Sequence, residues 1–145
     1  MADTSPPRST DDIVSYHAHI YYDPAGNRDA AERVRAAMAE RFLVQLGRWH
    51  DTPVGPHARA MYQVAFDVPV FATLVPWLML NRAGLTVLVH PNTDNPHDDH
   101  LVHALWMGEK LPLDASRLPH SMAAAGEQHS PVAPNTTPTQ PPAGE

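Results

Sequence analysis

The chain has 145 residues, a formal charge of −6 and no cysteine, which excludes disulfides, zinc–thiolate sites and cysteine nucleophiles. Its ten basic residues are scattered and outnumbered by sixteen acidic ones, so we expect no nucleic-acid partner. The sequence contains neither an apolar run of the roughly 18–20 residues that a membrane span needs nor a secretory signal, so we expect no membrane partner and a cytoplasmic protein.

Both ends of the chain are polar and contain many prolines. Residues 1–14 predict a flexible leader. Residues 115–145 are rich in Pro, Ala, Ser and Thr, and they predict a disordered tail because they bury too little apolar surface to offset the entropy of ordering. His120 and His129 lie in that tail and are discounted as ligands. The remaining residues, 15–114, predict one folded domain.

The segment from His17 to Tyr22 carries a histidine at alternate positions. Because alternate side chains of a strand share a face, His17, His19 and Tyr21 would line one face together. An unpaired buried polar group costs on the order of 1–3 kcal/mol. Two neighbouring imidazoles on one face therefore indicate a functional site, and the alternative is an exposed strand face with two ordinary histidines.

A helix is predicted after the first strand and its turn. Apolar residues recur at helical spacing as far as about Leu46, and Gly47 ends the helix. A short strand candidate lies within residues 48–57, before a group of prolines and glycine. Residues 60–66 are the clearest strand of the chain.

The second helix is predicted to have Pro69 in its first turn and Gly84 at its end. Pro76 inside this helix predicts a kink or a later helix start, because proline removes one helical hydrogen bond. Residues 85–90 predict the last strand, which Pro91 stops.

The order strand, helix, strand, strand, helix, strand predicts an α+β fold of the ferredoxin-like βαββαβ type. In this fold an antiparallel sheet of order 4-1-3-2 carries both helices on one face. The other face would stay open, and we expect a homodimer through that face. A site cleft or the residues after Asp94 are the alternatives for covering it.

This topology brings histidines together. Strand 4 lies antiparallel to strand 1, so His90 approaches His17 and His19. Strands 1 and 3 are taken as parallel, which would bring the hairpin with His57 to the same end. Without thiolates, such a cluster suits Fe(II), Zn(II), Mn(II) or Cu(II). Three histidines could form the site, or two could join a carboxylate, and the candidate carboxylates are Asp94, Asp98 and Asp99 in a loop that could also be a solvated turn.

Several motifs resemble the DOPA 4,5-dioxygenase family, in order along nearly all of residues 16–114. They are YHAHIYY at 16–22, VGPH at 54–57, YQVAF at 62–66, WLMLNR at 77–82, LVHP at 88–91, and the segment from DH at 99–100 to WMG at 106–108. The resemblance implies a small ferredoxin-like, dimeric, non-haem iron protein that uses dioxygen to open a catechol ring next to its two hydroxyls. It carries over His17, His19, His57 and His90 as site residues.

The resemblance does not say which of these residues bind the metal and which bind substrate, and the chemistry of the reaction suggests their roles. The metal would be Fe(II), or Zn(II) or another divalent ion in a purified sample, and it would activate the catechol oxygens and position dioxygen. We assign His17, His19 and His90 to the metal, and His57 to acid–base catalysis or substrate binding. The further candidates are His100 for a weaker catalytic role and Tyr21, Gln63 and His103 for substrate binding, with His103 on one helical face with His100.

Two other classes of function remain open from the residues. A cofactor-free oxygenase or small-molecule-binding module would use the open sheet face as an apolar pocket and need no metal. A metal-binding or sensing protein would need the histidines but would carry out no dioxygen chemistry. Metal analysis and catechol turnover distinguish the three classes.

Overall fold

The computed structural model describes residues 2–142, and these form an antiparallel sheet of five strands with helices. The strands are β1 (Ser15–Tyr21), β2 (Gln45–Leu46), β3 (Met61–Phe66), β4 (Val87–Asn92) and β5 (Leu105–Met107), in the spatial order β2-β3-β1-β4-β5. The α-helices are α1 (Arg28–Arg41), α2 (Phe71–Asn81) and α3 (Pro96–Leu101). The predicted α+β class and the order of the first four strands are confirmed, and β5 adds a strand beside β4.

The alternation of β1 decides where the main core lies. Ala18, Ile20 and Tyr22 point to one face of the sheet and are buried among residues of α1 and α2, including Met38 and Leu74. The other side chains of β1 therefore point to the opposite face. This is the face that the sequence predicted to be open.

The chain itself covers part of that opposite face. Tyr21 and Leu88 pack there in a second, smaller apolar cluster with Leu111 and Leu113, which follow β5. The segments after β4 thus cover an area that the sequence assigned to a dimer partner or, alternatively, to the residues after Asp94.

The first helix ends earlier than predicted. Its last residue is Arg41 rather than Leu46, and Phe42 has an extended backbone with φ −128° and ψ 143°. Although residues 42–46 continue the helical spacing, Gln45 and Leu46 pair with β3 as β2. Sheet pairing therefore overrides helical periodicity in this segment.

Two prolines lie inside regular elements. A 3-10 turn at Val68–Val70 precedes α2, which starts at Phe71, and Pro76 still lies in the interior of this helix rather than in its first turn. The prediction that Pro91 stops the last strand is wrong, because β4 continues to Asn92. β5 pairs with β4 only as far as Val89, so β5 does not extend beside Pro91. The N–H group that proline lacks would point to this unpaired side, and the strand can therefore continue through Pro91.

The assumption that the first and third strands are parallel is also wrong. β3 is antiparallel to β1, and Met61 at its start lies opposite Tyr21 at the end of β1. The connection between β2 and β3 therefore turns back at the end of the sheet that is distant from His17. His57 reaches the sheet face through a turn in this long connection and forms a β-bridge with Leu113.

Both predicted terminal segments contact the domain. In the leader, the Val14 N–H donates to the Asn92 carbonyl, 2.9 Å, and residue 1 lies outside the described residues. In the tail, the Met122 N–H donates to the Asp94 carbonyl, 2.7 Å. The disorder predicted for residues 115–145 stays a prediction, which amide hydrogen exchange would test. Residues 143–145 lie outside the described residues. Within residues 2–142, none of the helices has the length and apolar character to cross a membrane.

Candidate active site

Histidines from four parts of the chain meet on the sheet face opposite α1 and α2. Strand β1 places two of them on this face by alternation, and the register of β1 and β4 sets His17 directly opposite His90. The connection before β3 and helix α3 supply the others. The five rings are His17, His19, His57, His90 and His100, with neighbouring centroids 3.9 to 6.4 Å apart.

Three of these rings form a group that fits a metal ion. One nitrogen from each of His17, His19 and His90 lies within 4.8 Å of the others, and Nε2 of His19 is 3.1 Å from Nε2 of His90. Two nitrogens that bind one metal at about 2.0–2.1 Å are themselves roughly 3.0–3.4 Å apart. Nδ1 of His90 donates to the Pro91 carbonyl, 2.9 Å, which leaves its Nε2 lone pair free for a ligand.

Burial keeps the three rings in the form that binds metal. Desolvation, together with repulsion from other histidines, lowers the pKa of His17 to about 4 and those of His19 and His90 well below 6.5. Neutral imidazole is the ligating form. Nδ1 of His19 is buried without a hydrogen-bond partner among the described residues, whereas buried polar atoms of a purely structural cluster are normally paired.

His57 and Tyr21 form a hydrogen-bonded pair beside this group. The Tyr21 hydroxyl and His57 Nδ1 are 2.6 Å apart, and the His57 ring lies 4.2 Å from that of His19. Burial lowers the pKa of His57 to about 4, with added repulsion from His100, and burial raises the pKa of Tyr21. Both side chains are therefore uncharged at neutral pH, and their hydrogen bond holds the His57 ring beside that of His19.

His100 stacks on the opposite side of the cluster. Its ring centroid is 3.9 Å from that of His90, and its Nδ1 donates to the Pro96 carbonyl, 2.7 Å. Burial lowers the pKa of His100 as well. Its Nε2 therefore carries a free lone pair beside the three-histidine group.

The candidate carboxylates serve other purposes. Both oxygens of Asp99 accept hydrogen bonds from Thr93, at 2.7 Å from its N–H and 2.6 Å from its hydroxyl. Asp94 accepts from Ser121 and from a backbone N–H of the C-terminal segment, and Asp98 is bonded to its neighbours in α3. The donor set of this cluster therefore consists of histidines alone.

A cavity of about 230 Å³ opens onto His17. Gln63, which the sequence singled out as a substrate contact, lines this cavity together with Gln45 and Asn92. His129 forms part of its outer wall, although the sequence interpretation discounted that residue. No pattern in the sequence marks His129, because its position depends on how the C-terminal segment crosses the sheet.

His103 lies elsewhere. Helix α3 ends at Leu101, so the helical face expected to join His103 to His100 does not extend that far. His103 instead lines a separate cavity of about 360 Å³ with Tyr16, and its Nε2 is 3.4 Å from the Arg8 guanidinium. The structure does not bring His103 to the five-histidine cluster.

A second group of potential ligands lies near the surface. His97, Asp98 and His120 each offer an atom within 4.8 Å of the others, and the two imidazoles stack at 4.0 Å. This group is more exposed than the first. It is the natural control site for any measurement of metal binding.

We expect the metal-free protein to lose stability in acid. The pKa values of His17 and His57 fall from 6.5 to about 4 on folding, so between these pH values the unfolded chain binds more protons. The contribution of these two rings to the free energy of unfolding is complete above pH 6.5. It decreases as the pH falls towards 4, by up to about 1 kcal/mol per ring and pH unit. Urea unfolding at about pH 7.5 and about pH 5.5 measures this loss. Equal free energies of unfolding in wild type and His17→Gln at both pH values would contradict it, and His103→Gln is the matched control.

Comparison with known proteins gives a consistent result. The model of the Dopa 4,5-dioxygenase family matches residues 16–117 of this chain. A solved structure of a candidate dioxygenase from Nostoc punctiforme is 52% identical with a TM-score of 0.74, covering 76% of this chain and 95% of that one.

Two curated fungal proteins are also similar. An uncharacterised 21.2 kDa protein of Botryotinia fuckeliana is 36% identical over 116 residues, which is 70% of this chain and 62% of that protein. The DOPA 4,5-dioxygenase of Amanita muscaria is 32% identical over 116 residues, or 74% of this chain and 51% of that protein. The chain thus spans between half and two thirds of the length of these two relatives.

Proposed function

The chain belongs to the Dopa 4,5-dioxygenase family, and from this premise we propose that it is an Fe(II)-dependent dioxygenase that opens the ring of a catechol such as DOPA. The observation that carries the proposal is the group of three neutral imidazoles, the buried His19 and His90 and the half-buried His17, beside the hydrogen-bonded pair of His57 and Tyr21. The family supplies the reaction class, and the histidine cluster supports a metal-dependent version of it.

In this proposal His17, His19 and His90 hold the metal. A cluster of neutral imidazoles suits Fe(II) and also Zn(II) or another divalent transition ion. The chemistry supplied by bound Fe(II) is Lewis-acid activation of the catechol oxygens and templating of dioxygen. The protein's own contribution is to keep the three rings deprotonated, to shield His19 and His90 from water and to leave His17 facing the cavity.

His57 moves the proton. It accepts a phenolic proton at Nε2 while its Nδ1 remains hydrogen-bonded to the Tyr21 oxygen. Because burial lowers the pKa of His57 to about 4, the imidazolium returns the proton readily, and His57 would accept it only from a catechol hydroxyl whose own pKa the bound metal lowers. We assign His57 a relay function for this reason, and His100 a supporting role as an acceptor for a substrate hydroxyl.

The amide side chains beside His17 hold the ring substituent of the substrate. Gln63 is the central one, because it lies opposite His19 in the β1–β3 register and also lines the cavity. Tyr21 lies at the other end of the same face and contacts substrate only through His57.

Assembly and location complete the proposal. The unpaired edge at β5 exposes Leu105, and Leu101 and Val102 just before it are also exposed, which supports a homodimer through this edge. Light scattering measures this assembly.

The absence of cysteine from the sequence is compatible with a reducing compartment, and we propose the cytoplasm.

Catechol turnover tests the proposed activity. Protein reconstituted with Fe(II) without oxygen and then exposed to air should convert DOPA to a yellow ring-opened product, with matching consumption of dioxygen. Metal-free protein should be inactive. A protein that binds iron but consumes no dioxygen with any catechol would be a metal-binding or sensing protein. Full activity without metal would indicate the cofactor-free class.

A further inference from the structure

The C-terminal segment crosses the sheet face at the mouth of the cavity. On one side, Nε2 of His129 donates to the Thr93 carbonyl, 2.6 Å, just after β4. On the other side, Asn135 and Thr136 bond to residues of and before β2. We call residues 128–136 the strap, and residues 129–132 of the strap line the cavity that opens onto His17.

The anchor at β2 consists of specific hydrogen bonds. The Asn135 side chain accepts from the Leu46 N–H, 2.8 Å, and donates to the Leu46 carbonyl, 3.0 Å. The Thr136 hydroxyl donates to the Phe42 carbonyl, 2.7 Å, and accepts from the Val44 N–H, 3.0 Å. Because β2 is an edge strand, these side chains satisfy backbone groups that a further strand would otherwise pair. The strap is therefore held at both sides of the cavity.

We propose that the strap is the outer wall of the substrate cavity and determines which ring substituents the site accepts. This inference rests on the proposed function and adds a specificity element to it. The cavity lining contains amides, imidazoles and two serine hydroxyls but no lysine, arginine, aspartate or glutamate among its described residues. With a volume of about 230 Å³, it admits a small polar substituent and excludes a bulky one.

The strap lies outside the part of the chain that the family shares. The family model ends its match at residue 117, whereas the strap begins eleven residues later. The wall that it forms therefore lies outside the residues that the family model matches.

Release of the anchor tests the proposal. In the full-length double variant Asn135→Ala and Thr136→Val, the side-chain hydrogen bonds of both residues to residues 42–46 are lost and only the bond from the Asn135 N–H to the Val44 carbonyl remains between these two residues and that segment, so the strap should open more often. The control is Thr137→Val with Thr139→Val, because neither hydroxyl makes a hydrogen bond within residues 2–142 and both residues are exposed. Equal melting temperatures of the two proteins would show that the domain remains folded.

Two measurements report on the strap. The first is the rate at which diethyl pyrocarbonate modifies His17 in metal-free protein, read by peptide mass spectrometry with His103 as internal reference. We expect it to rise about tenfold on release. The second is the ratio of kcat/KM for catechols with a bulky and a small polar substituent at position 4, which should shift about fivefold or more towards the bulky one.

The outcomes distinguish this proposal from the proposed function. Unchanged modification of His17 overturns the strap as a wall, whether or not a catechol is turned over. Faster modification with unchanged substrate preference overturns its role in specificity. If no variant opens a catechol ring, the proposed function fails, and the modification rate alone decides whether the strap closes the cavity.

Discussion

Alanine in place of His17, His19 or His90 should abolish stable metal binding at the cluster and ring opening with it. The group offers one nitrogen from each ring within 4.8 Å, so each substitution removes a third of the donor set. Loss of a partner that only orients a ligand typically weakens metal affinity by 10–100-fold, and we expect loss of a ligand itself to exceed about 100-fold. Metal per chain after anaerobic reconstitution, and competition against a chelator, measure the effect.

The matched control for these variants is His103→Ala. His103 lies in a separate cavity, so this variant should retain both metal and turnover. A second control, His120→Ala, disrupts the surface group of His97, Asp98 and His120 and should leave catalysis unchanged. If His120→Ala loses the functional metal while His17→Ala keeps it, the metal centre is the surface group and the assignment to the sheet face is wrong.

Local alternation was sufficient to predict two of the five rings of the cluster. The spacing of His17 and His19 follows from the two-residue period of a strand, and the structure places them on the face opposite Ala18 and Ile20. His90 could be placed beside them because strand order and direction fix the register of β1 and β4. These inferences rest on backbone geometry that every strand shares.

The remaining residues depend on packing that no local pattern expresses. His57 was expected at the cluster for the wrong reason, since β1 and β3 are antiparallel and a long connection brings His57 back across the sheet. His103 was expected near His100, but α3 is only six residues long and ends before it. His129 was discounted on composition, yet tertiary hydrogen bonds to Thr93 and β2 place its segment over His17.

The sequence left a carboxylate ligand open as an alternative to three histidines. Asp99 is fully buried, which would suit a ligand, but its two oxygens are occupied by Thr93. The carboxylate thereby fixes the loop that presents His100 from α3 next to His90. A buried aspartate near a cluster of histidines can thus shape a site without entering it, and only the hydrogen-bond partners distinguish the two cases.

Replacing His57 with alanine should separate metal binding from catalysis. His57 is not among the three residues whose nitrogens form the metal-binding group, so iron per chain should stay near the wild-type value. The rate of ring opening should fall by about 10²–10⁴-fold, the usual contribution of a proton-transfer group. Added imidazole should restore part of this rate, since it can occupy the space left by the ring and accept the proton.

Tyr21→Phe keeps the ring of Tyr21 and removes only the hydroxyl 2.6 Å from His57, so we expect a smaller loss of rate than in His57→Ala.

The pH dependence of kcat distinguishes a relay from a structural role for His57. If His57 transfers the proton, the acid limb of the wild-type profile should disappear in His57→Ala and return with imidazole at the pKa of the added base. A structural role would lower kcat equally at every pH, and imidazole would not restore it. Loss of iron in His57→Ala as complete as in His17→Ala would instead make His57 a ligand, and the relay would then have to run through His100, whose Nε2 is the other free imidazole nitrogen beside His90.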